Sequence, residues 1–166
     1  MTDQLGYRGR IAIVVPSTNT SCQPESEMLR PPGVTNHTGR ISIKERPLTT
    51  EQAFMEHVQA MRDGMRAGID QVMTCQPTHV IMGVALEAFW GGVKAADELQ
   101  AELAQRSGVG VSMGSTATVA ALRALGAKNI AVLTPHQPRG DEQVRNYFDE
   151  AGFPVKRLIG MKCPSP

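Results

Sequence analysis

The sequence predicts an α/β protein with a parallel, doubly wound sheet, on three observations. Short apolar runs rich in β-branched residues recur at Ile11–Val15, Thr78–Val84, Val109–Met113, Ile130–Leu133 and Val155–Ile159. The stretches between them carry apolar residues three and four apart, which is the spacing of one helix face. Unbroken apolar strands alternating with helices imply strands buried on both faces, and hence a parallel sheet. With 166 residues the chain is long enough for a sizeable core, and 41% hydrophobic against 20% charged residues is an ordinary globular balance.

Ile11–Val15 is the first strand, and Pro16 stops it. Ser17, Thr18, Asn19 and Thr20 follow at once. In an open parallel sheet ligands bind beyond the carboxyl ends of strands, so this polar cluster is the first candidate site. It contains no glycine, which excludes a phosphate-cradling loop and a dinucleotide fingerprint. Hydroxyls and an amide suit a carboxylate or carbonyl better than a pyrophosphate. An ordinary strand-to-loop turn is the alternative reading of the same residues.

After a long polar loop, His37–Glu45 reads as an edge or half-buried strand, with Ile41 and Ile43 alternating with polar neighbours. Thr49 and Gln52 have capping-box spacing and open a helix over Ala53–Val72. Its core face carries Phe54, Val58, Met61, Met65, Ile69 and Val72. Thr78–Val84 is a buried strand, Val93–Gln105 a helix and Val109–Met113 another strand. A helix over Thr116–Leu125 ends at Gly126, a residue suited to a C-cap. Ile130–Leu133 is a strand closed by Thr134, Pro135 and His136. Asp141–Ala151 is a helix with Gly152 as its cap, and Val155–Ile159 is the last strand. The order strand, loop, helix, strand from Ile11 returns from Ile130. Residues 1–114 therefore read as one complete lobe, and residues 115–166 as a crossover helix with the start of a second, similar lobe.

Charge and composition exclude several classes. With 17 basic and 16 acidic residues the net charge is +1, no basic patch stands out, and no nucleic-acid partner is expected. No stretch has the length of a membrane span, and MTDQLGYRGR lacks a signal-peptide core. Cys22, Cys75 and Cys163 are odd in number and scattered, as in a reduced, cytoplasmic protein. No two histidines have metal-ligand spacing, so no metal is expected. Oligomeric state stays open, a homo-oligomer included. Cys75 is expected to be a buried or partly buried structural thiol, and His79 structural. His37 and His57 read as surface residues. Cys22 lies close to Asn19, so a chemical role stands beside a structural one. Glu87 reads as a base or, more simply, as an acid opening a helix. Phe89 and Trp90 read as pocket lining or as packing.

The loop VVPSTNT, the strand end IMGVALEAFWGG and the segment SMGSTATVAALRALGAKNIAVLTPH resemble together the aspartate/glutamate racemase superfamily, in its branch of maleate cis-trans isomerases and arylmalonate decarboxylases. The resemblance runs from Gly9 to about Gly160, with the three motifs in the right order. Members have two similar α/β lobes with the active site between them, and are longer than this chain. The resemblance implies a small carboxylate as substrate and no cofactor. It places Asn19, with Ser17 in the same loop, at the arm that holds a substrate carboxylate. Gly83 falls where racemases and maleate isomerases carry their first catalytic cysteine and where arylmalonate decarboxylases carry glycine. Val84 and Ala85 stand where decarboxylases have the hydroxyl residues of a dioxyanion pocket, which would here rest on backbone N–H groups. His136 matches a tyrosine that bonds the carboxylate, and Ser115 and Thr116 match a loop near the lobe interface.

Racemases of this class use two cysteines on opposite faces of the substrate, and maleate isomerases use one as a nucleophile. Gly83 supplies no thiol, so decarboxylase-like chemistry fits better: hydrogen-bond donors stabilise an enediolate and one acid protonates it. In relatives that acid is a second-lobe cysteine, with which Cys163 does not align. A non-catalytic carboxylate-binding protein and an inactive fragment are the competing readings.

Overall fold

The computed structural model describes residues 4–44 and 51–163. The chain divides into two compact units, Met1–Val84 with Gln100–Met113, and Ala85–Leu99 with Gly114–Pro166.

The first unit is built on a four-stranded parallel sheet of order β2-β1-β3-β4, made by β1 (Gly9–Pro16), β2 (Val34–Ile41), β3 (His79–Met82) and β4 (Gly110–Met113). Ala12, Ile13, Val14 and Val15 of β1 have no exposed surface, as an unbroken apolar run between two neighbouring strands requires. Each fully buried Val or Ile contributes about 1.5–3 kcal/mol. Helix α2 (Glu51–Met73) lays Val58, Met61, Met65, Ile69 and Val72 into this core. The side chain of Phe54 and the cap proposed at Thr49 fall outside what is described. Gly64 and Gly68 let α2 approach closely: a Cβ on Gly68 would stand 2.6 Å from Val14 Cγ1. Across the solvent side, Arg66 pairs with Glu102 and Arg106 with Asp70 of helix α4 (Gly92–Ser107) and α2.

The sheet order has a direct functional consequence. The chain leaves β1 for β2 on one side and returns past β1 to β3 on the other. The carboxyl ends of β1 and β3 therefore flank a topological switch point, where open α/β sheets form their ligand crevice.

The second unit holds a parallel pair, β5 (Ile130–Thr134) with β6 (Val155–Gly160), and the helices α3 (Leu86–Phe89), α5 (Gly114–Ala124) and α6 (Pro138–Glu150). Its core gathers Ala96, Val119, Val144, Tyr147, Phe148, Phe153 and Val155. Phe89 joins them, with its ring centroid 5.1 Å from that of Tyr147 in a T-shaped contact. Phe89 is thus core packing within this unit. Trp90 carries Arg139 over its ring at 5.2 Å. Helix α6 ends in a Schellman motif: Gly152 sits at φ +86°, Gly152 N–H donates to Asp149 O, and Phe153 N–H donates to Phe148 O. Gly126 closes α5 in the same way, so both predicted glycine caps are present.

Four expectations are corrected. The polar loop after β1 contains a short helix, α1 (Cys22–Met28), hidden because none of its residues is buried and no apolar stripe marks it. The second strand begins at Val34, three residues before His37, and its ladder to β1 runs from Gly9↔Val34 to Pro16↔Ile41. Cys75 is exposed, in the turn after α2. His37 is half-buried, with Nε2 3.0 Å from Thr35 Oγ1, and not a plain surface residue. No helix among the described residues is long and apolar enough to cross a membrane.

Candidate active site

The loop after β1 is fastened from both sides. Ser17 N–H donates to Ile41 O at 2.7 Å, and Ile43 N–H donates to Ser17 Oγ at 2.9 Å. These bonds tie the loop to the end of β2. Ser17 Oγ is thereby an acceptor for the backbone, and its hydroxyl proton remains a donor.

Asn19 is half-buried. Its Oδ1 accepts from Ser21 N–H at 3.1 Å and from Cys22 N–H at 2.8 Å. Both partners are donors, so the amide oxygen must face them, and the NH₂ is directed elsewhere. The oxygen makes the turn, and the nitrogen carries two donors that the turn does not use. The Asn19 carbonyl in turn accepts from Arg40 Nη1 at 2.6 Å.

Gly83 follows β3 and lies beside the end of β1. Its N–H donates to Val14 O at 2.8 Å, extending the β1–β3 ladder by one residue. That amide is committed to the sheet and is not a free donor for an oxyanion. A Cβ on Gly83 would stand 2.6 Å from Val15 Cγ1 and 2.9 Å from Cys22 Sγ. The space that a side chain at position 83 would take is thus already lined by the Cys22 thiol. Ser17, Asn19, Cys22 and Gly83 all belong to the first unit. Val84 is 5% exposed and closes this unit's segment.

Ala85, Ser115, Thr116 and His136 belong to the second unit. Ala85 is the N-cap residue of α3. A Cβ on Gly140 would meet His136 Cβ at 2.8 Å and Leu86 Cδ1 at 3.3 Å, so Leu86, next to Ala85, and His136 share one packing position. His136 stands just past β5, with its N–H donating to Thr134 Oγ1 at 3.2 Å. Thr134 Oγ1 donates to Asp141 Oδ1. Burial holds the His136 imidazole below its ordinary pKa, and the Asp141 carboxylate opposes this. The ring is therefore chiefly a neutral donor and acceptor near pH 7. Ser115 is fully buried in the first turn of α5, and Thr116 is half-buried. Glu87 is a buried carboxylate in the first turn of α3. Cys163 N–H donates to Pro135 O at 2.9 Å, which holds residue 163 beside the His136 loop.

Sequence reasoning passed over Arg40 and Gln23. Arg40 Nη2 donates to Gln23 Oε1 at 2.8 Å, which clamps α1 to the loop. The one available signal was a cation at the carboxyl end of a strand, and it is visible only once β2 is known to neighbour β1.

Comparison with known proteins adds the lineage. Residues 11–164 match the family model described as arylmalonate decarboxylase. A maleate isomerase of Nocardia farcinica is 24% identical over 157 residues, covering 91% of this chain and 61% of that protein. Among solved structures, the Nocardia farcinica maleate cis-trans isomerase bound to TRIS superposes with a TM-score of 0.82 at 21% identity, covering 94% of this chain and 64% of that one. A cysteine-to-serine variant of it, with a covalently bound succinylcysteine intermediate, gives a TM-score of 0.80 at 21% identity over the same shares of the two chains. Unliganded arylmalonate decarboxylase gives a TM-score of 0.67 at 17% identity, covering 92% of this chain and 61% of that one. The chain thus spans less than two thirds of the length of these relatives. With its sheet and the match over residues 11–164, the chain belongs to the arylmalonate decarboxylase family.

Proposed function

We propose that the protein is a cofactor-independent enzyme of the maleate isomerase and arylmalonate decarboxylase type that acts on a small carboxylate or dicarboxylate. The observation that carries this reading is the orientation of Asn19. Two backbone N–H groups fix its oxygen, so its NH₂ is a preorganised donor pair at a sheet switch point. In the proposed site Asn19 Nδ2 and the Ser17 hydroxyl bind one carboxylate. The amide of Val84 stabilises developing negative charge. In the second unit, taken by itself, His136 offers a neutral N–H to a carboxylate, and Ser115 and Thr116 stand at the start of α5. Loss of CO₂ from a malonate breaks one C–C bond and leaves its electron pair in an enediolate. Hydrogen-bond donors stabilise that anion until an acid protonates it.

One observation favours a second reading. Cys22 Sγ stands where a side chain of residue 83 would reach, and a maleate isomerase relative is known with a succinylcysteine. In that reading the Cys22 thiolate adds to one olefinic carbon of maleate and the π pair moves into an enediolate. The C–C bond then rotates, and departure of sulfur re-forms the double bond as fumarate.

Proton NMR of the 166-residue chain with maleate, and separately with phenylmalonate, tests both readings. Fumarate or phenylacetate is the expected product. Asn19→Asp keeps the acceptor oxygens but removes the NH₂, and should weaken binding at least tenfold with the fold intact. Undiminished binding by Asn19→Asp would remove the carboxylate role. Turnover of maleate that survives Cys22→Ser would exclude the second reading. Saturable binding without turnover would make the chain a carboxylate-binding protein instead.

A further inference from the structure

Arg40 stands at the carboxyl end of β2, opposite Val15 in the β1–β2 ladder. Its Nη1 donates to Asn19 O at 2.6 Å and reaches Pro16 O at 3.5 Å, and its Nη2 donates to Gln23 Oε1 at 2.8 Å. All three acceptors are neutral. Arg40 has no carboxylate partner among the described residues; Arg8, Arg10 and Arg145 also bond only to carbonyls, but Arg40 alone of these four holds the loop of Asn19. A guanidinium carries its charge at every accessible pH. A positive charge with no acid partner among the described residues therefore sits one hydrogen bond from the backbone of Asn19, on the loop proposed to bind a carboxylate.

We infer that Arg40 is the charge-selecting residue of this site. It positions the Asn19 loop through hydrogen bonds to neutral acceptors, and its charge favours dicarboxylates over monocarboxylates of the same size. This rests on the carboxylate reading of the loop and goes beyond it. A purely structural clamp would need the hydrogen bonds alone. Leaving the cation without an acid makes its field available to a ligand, and that field acts on each additional negative charge. Exposure makes the effect sensitive to salt, since screening sets in over about 10 Å at 0.1 M ionic strength.

The test uses calorimetry with maleate, a dianion, and maleamate, its monoanionic half-amide, at low and at high salt. The wild-type chain should prefer maleate, and the preference should shrink as salt rises. Arg40→Gln should weaken maleate by about tenfold, the equivalent of ~1.4 kcal/mol, and maleamate by less than about threefold, with the salt dependence gone. Arg40→Lys keeps the charge on a shorter set of donors, so it should retain the preference and its salt dependence. Equal losses for both ligands in Arg40→Gln would overturn charge selection and leave a clamp. Loss of the preference in Arg40→Lys would overturn it too, since charge would then not be the property that matters. A wild-type chain that binds neither ligand would instead overturn the carboxylate reading, and the inference with it.

Discussion

Replacing Gly83 by alanine should destabilise the first unit by about 2 kcal/mol. The added Cβ would lie 2.6 Å from Val15 Cγ1 and 2.9 Å from Cys22 Sγ, where carbon contacts normally settle at about 3.5–4.0 Å. Neither side yields easily. Val15 is fully buried on a central strand, and Gly83 is anchored by its own bond to Val14 O. Overpacking of this kind typically costs about 1–3 kcal/mol. With a urea slope of about 1–3 kcal/mol per molar, the midpoint followed by far-UV circular dichroism should fall by roughly 1 M. Val15→Ala removes the nearer methyl, so the cost of Gly83→Ala should shrink by at least about 1 kcal/mol in that background, as a double-mutant cycle reads it. Cys22→Ala removes the softer contact and should give a smaller coupling. An unchanged midpoint in Gly83→Ala, or a cycle without coupling to Val15, would refute the packing account. The same contacts bear on chemistry: a cysteine installed at position 83 would compete for space with the thiol of Cys22.

Three further outcomes are expected. Asn19→Ala leaves two backbone N–H groups without their acceptor and should lower stability by about 1 kcal/mol, while Asn19→Asp should hold it; thermal melts of both variants decide this. For His136 the folded pKa lies below the ordinary 6.5, so the unfolded chain binds the proton first. Its contribution to stability is therefore complete above about pH 6.5 and is lost as pH falls through the lowered value. The ring's proton NMR titration should show that midpoint, and Asp141→Asn should push it lower still, because the carboxylate raises it. Gly152→Ala forces a Cβ into φ +86° and should cost about 1 kcal/mol by urea unfolding.

Much of the fold was legible because its signals are local. Buried strands announce themselves as apolar runs, and Gly126 and Gly152 stand where their helices end, at φ values that few other residues adopt. Helix α1 was not legible, since all of its residues keep some exposure and it packs by its backbone and polar groups. The start of β2 was missed for a related reason: Val34, Thr35 and Asn36 are half-buried on an edge strand and show no clean alternation. Within the site, Asn19 could be named from its place after a buried strand, but not the direction of its amide. Arg40 and the contact of Cys22 with Gly83 depend on which strands are neighbours, and the order β2-β1-β3-β4 is a tertiary fact.

The absence of glycine from the loop after β1 acquires a physical meaning from these bonds. Phosphate-binding loops present backbone N–H groups to the anion, which requires conformations that glycine permits. Here the backbone is already committed. Ser17 N–H is bonded to Ile41 O, Asn19 N–H to Pro16 O, and the amides of Ser21 and Cys22 to Asn19 Oδ1. Across the crevice Gly83 N–H is bonded to Val14 O. The loop after β1 would therefore read an anion by its side chains, the Asn19 NH₂ and the Ser17 hydroxyl, with Arg40 as the charge behind them and the Val84 amide as the backbone donor proposed beside them. A few directional donors and one displaced cation match a planar carboxylate better than a tetrahedral phosphate, which would call on many amides at once. Inorganic phosphate should accordingly compete poorly with maleate in calorimetric displacement. Equal competition would mean that the site recognises charge alone.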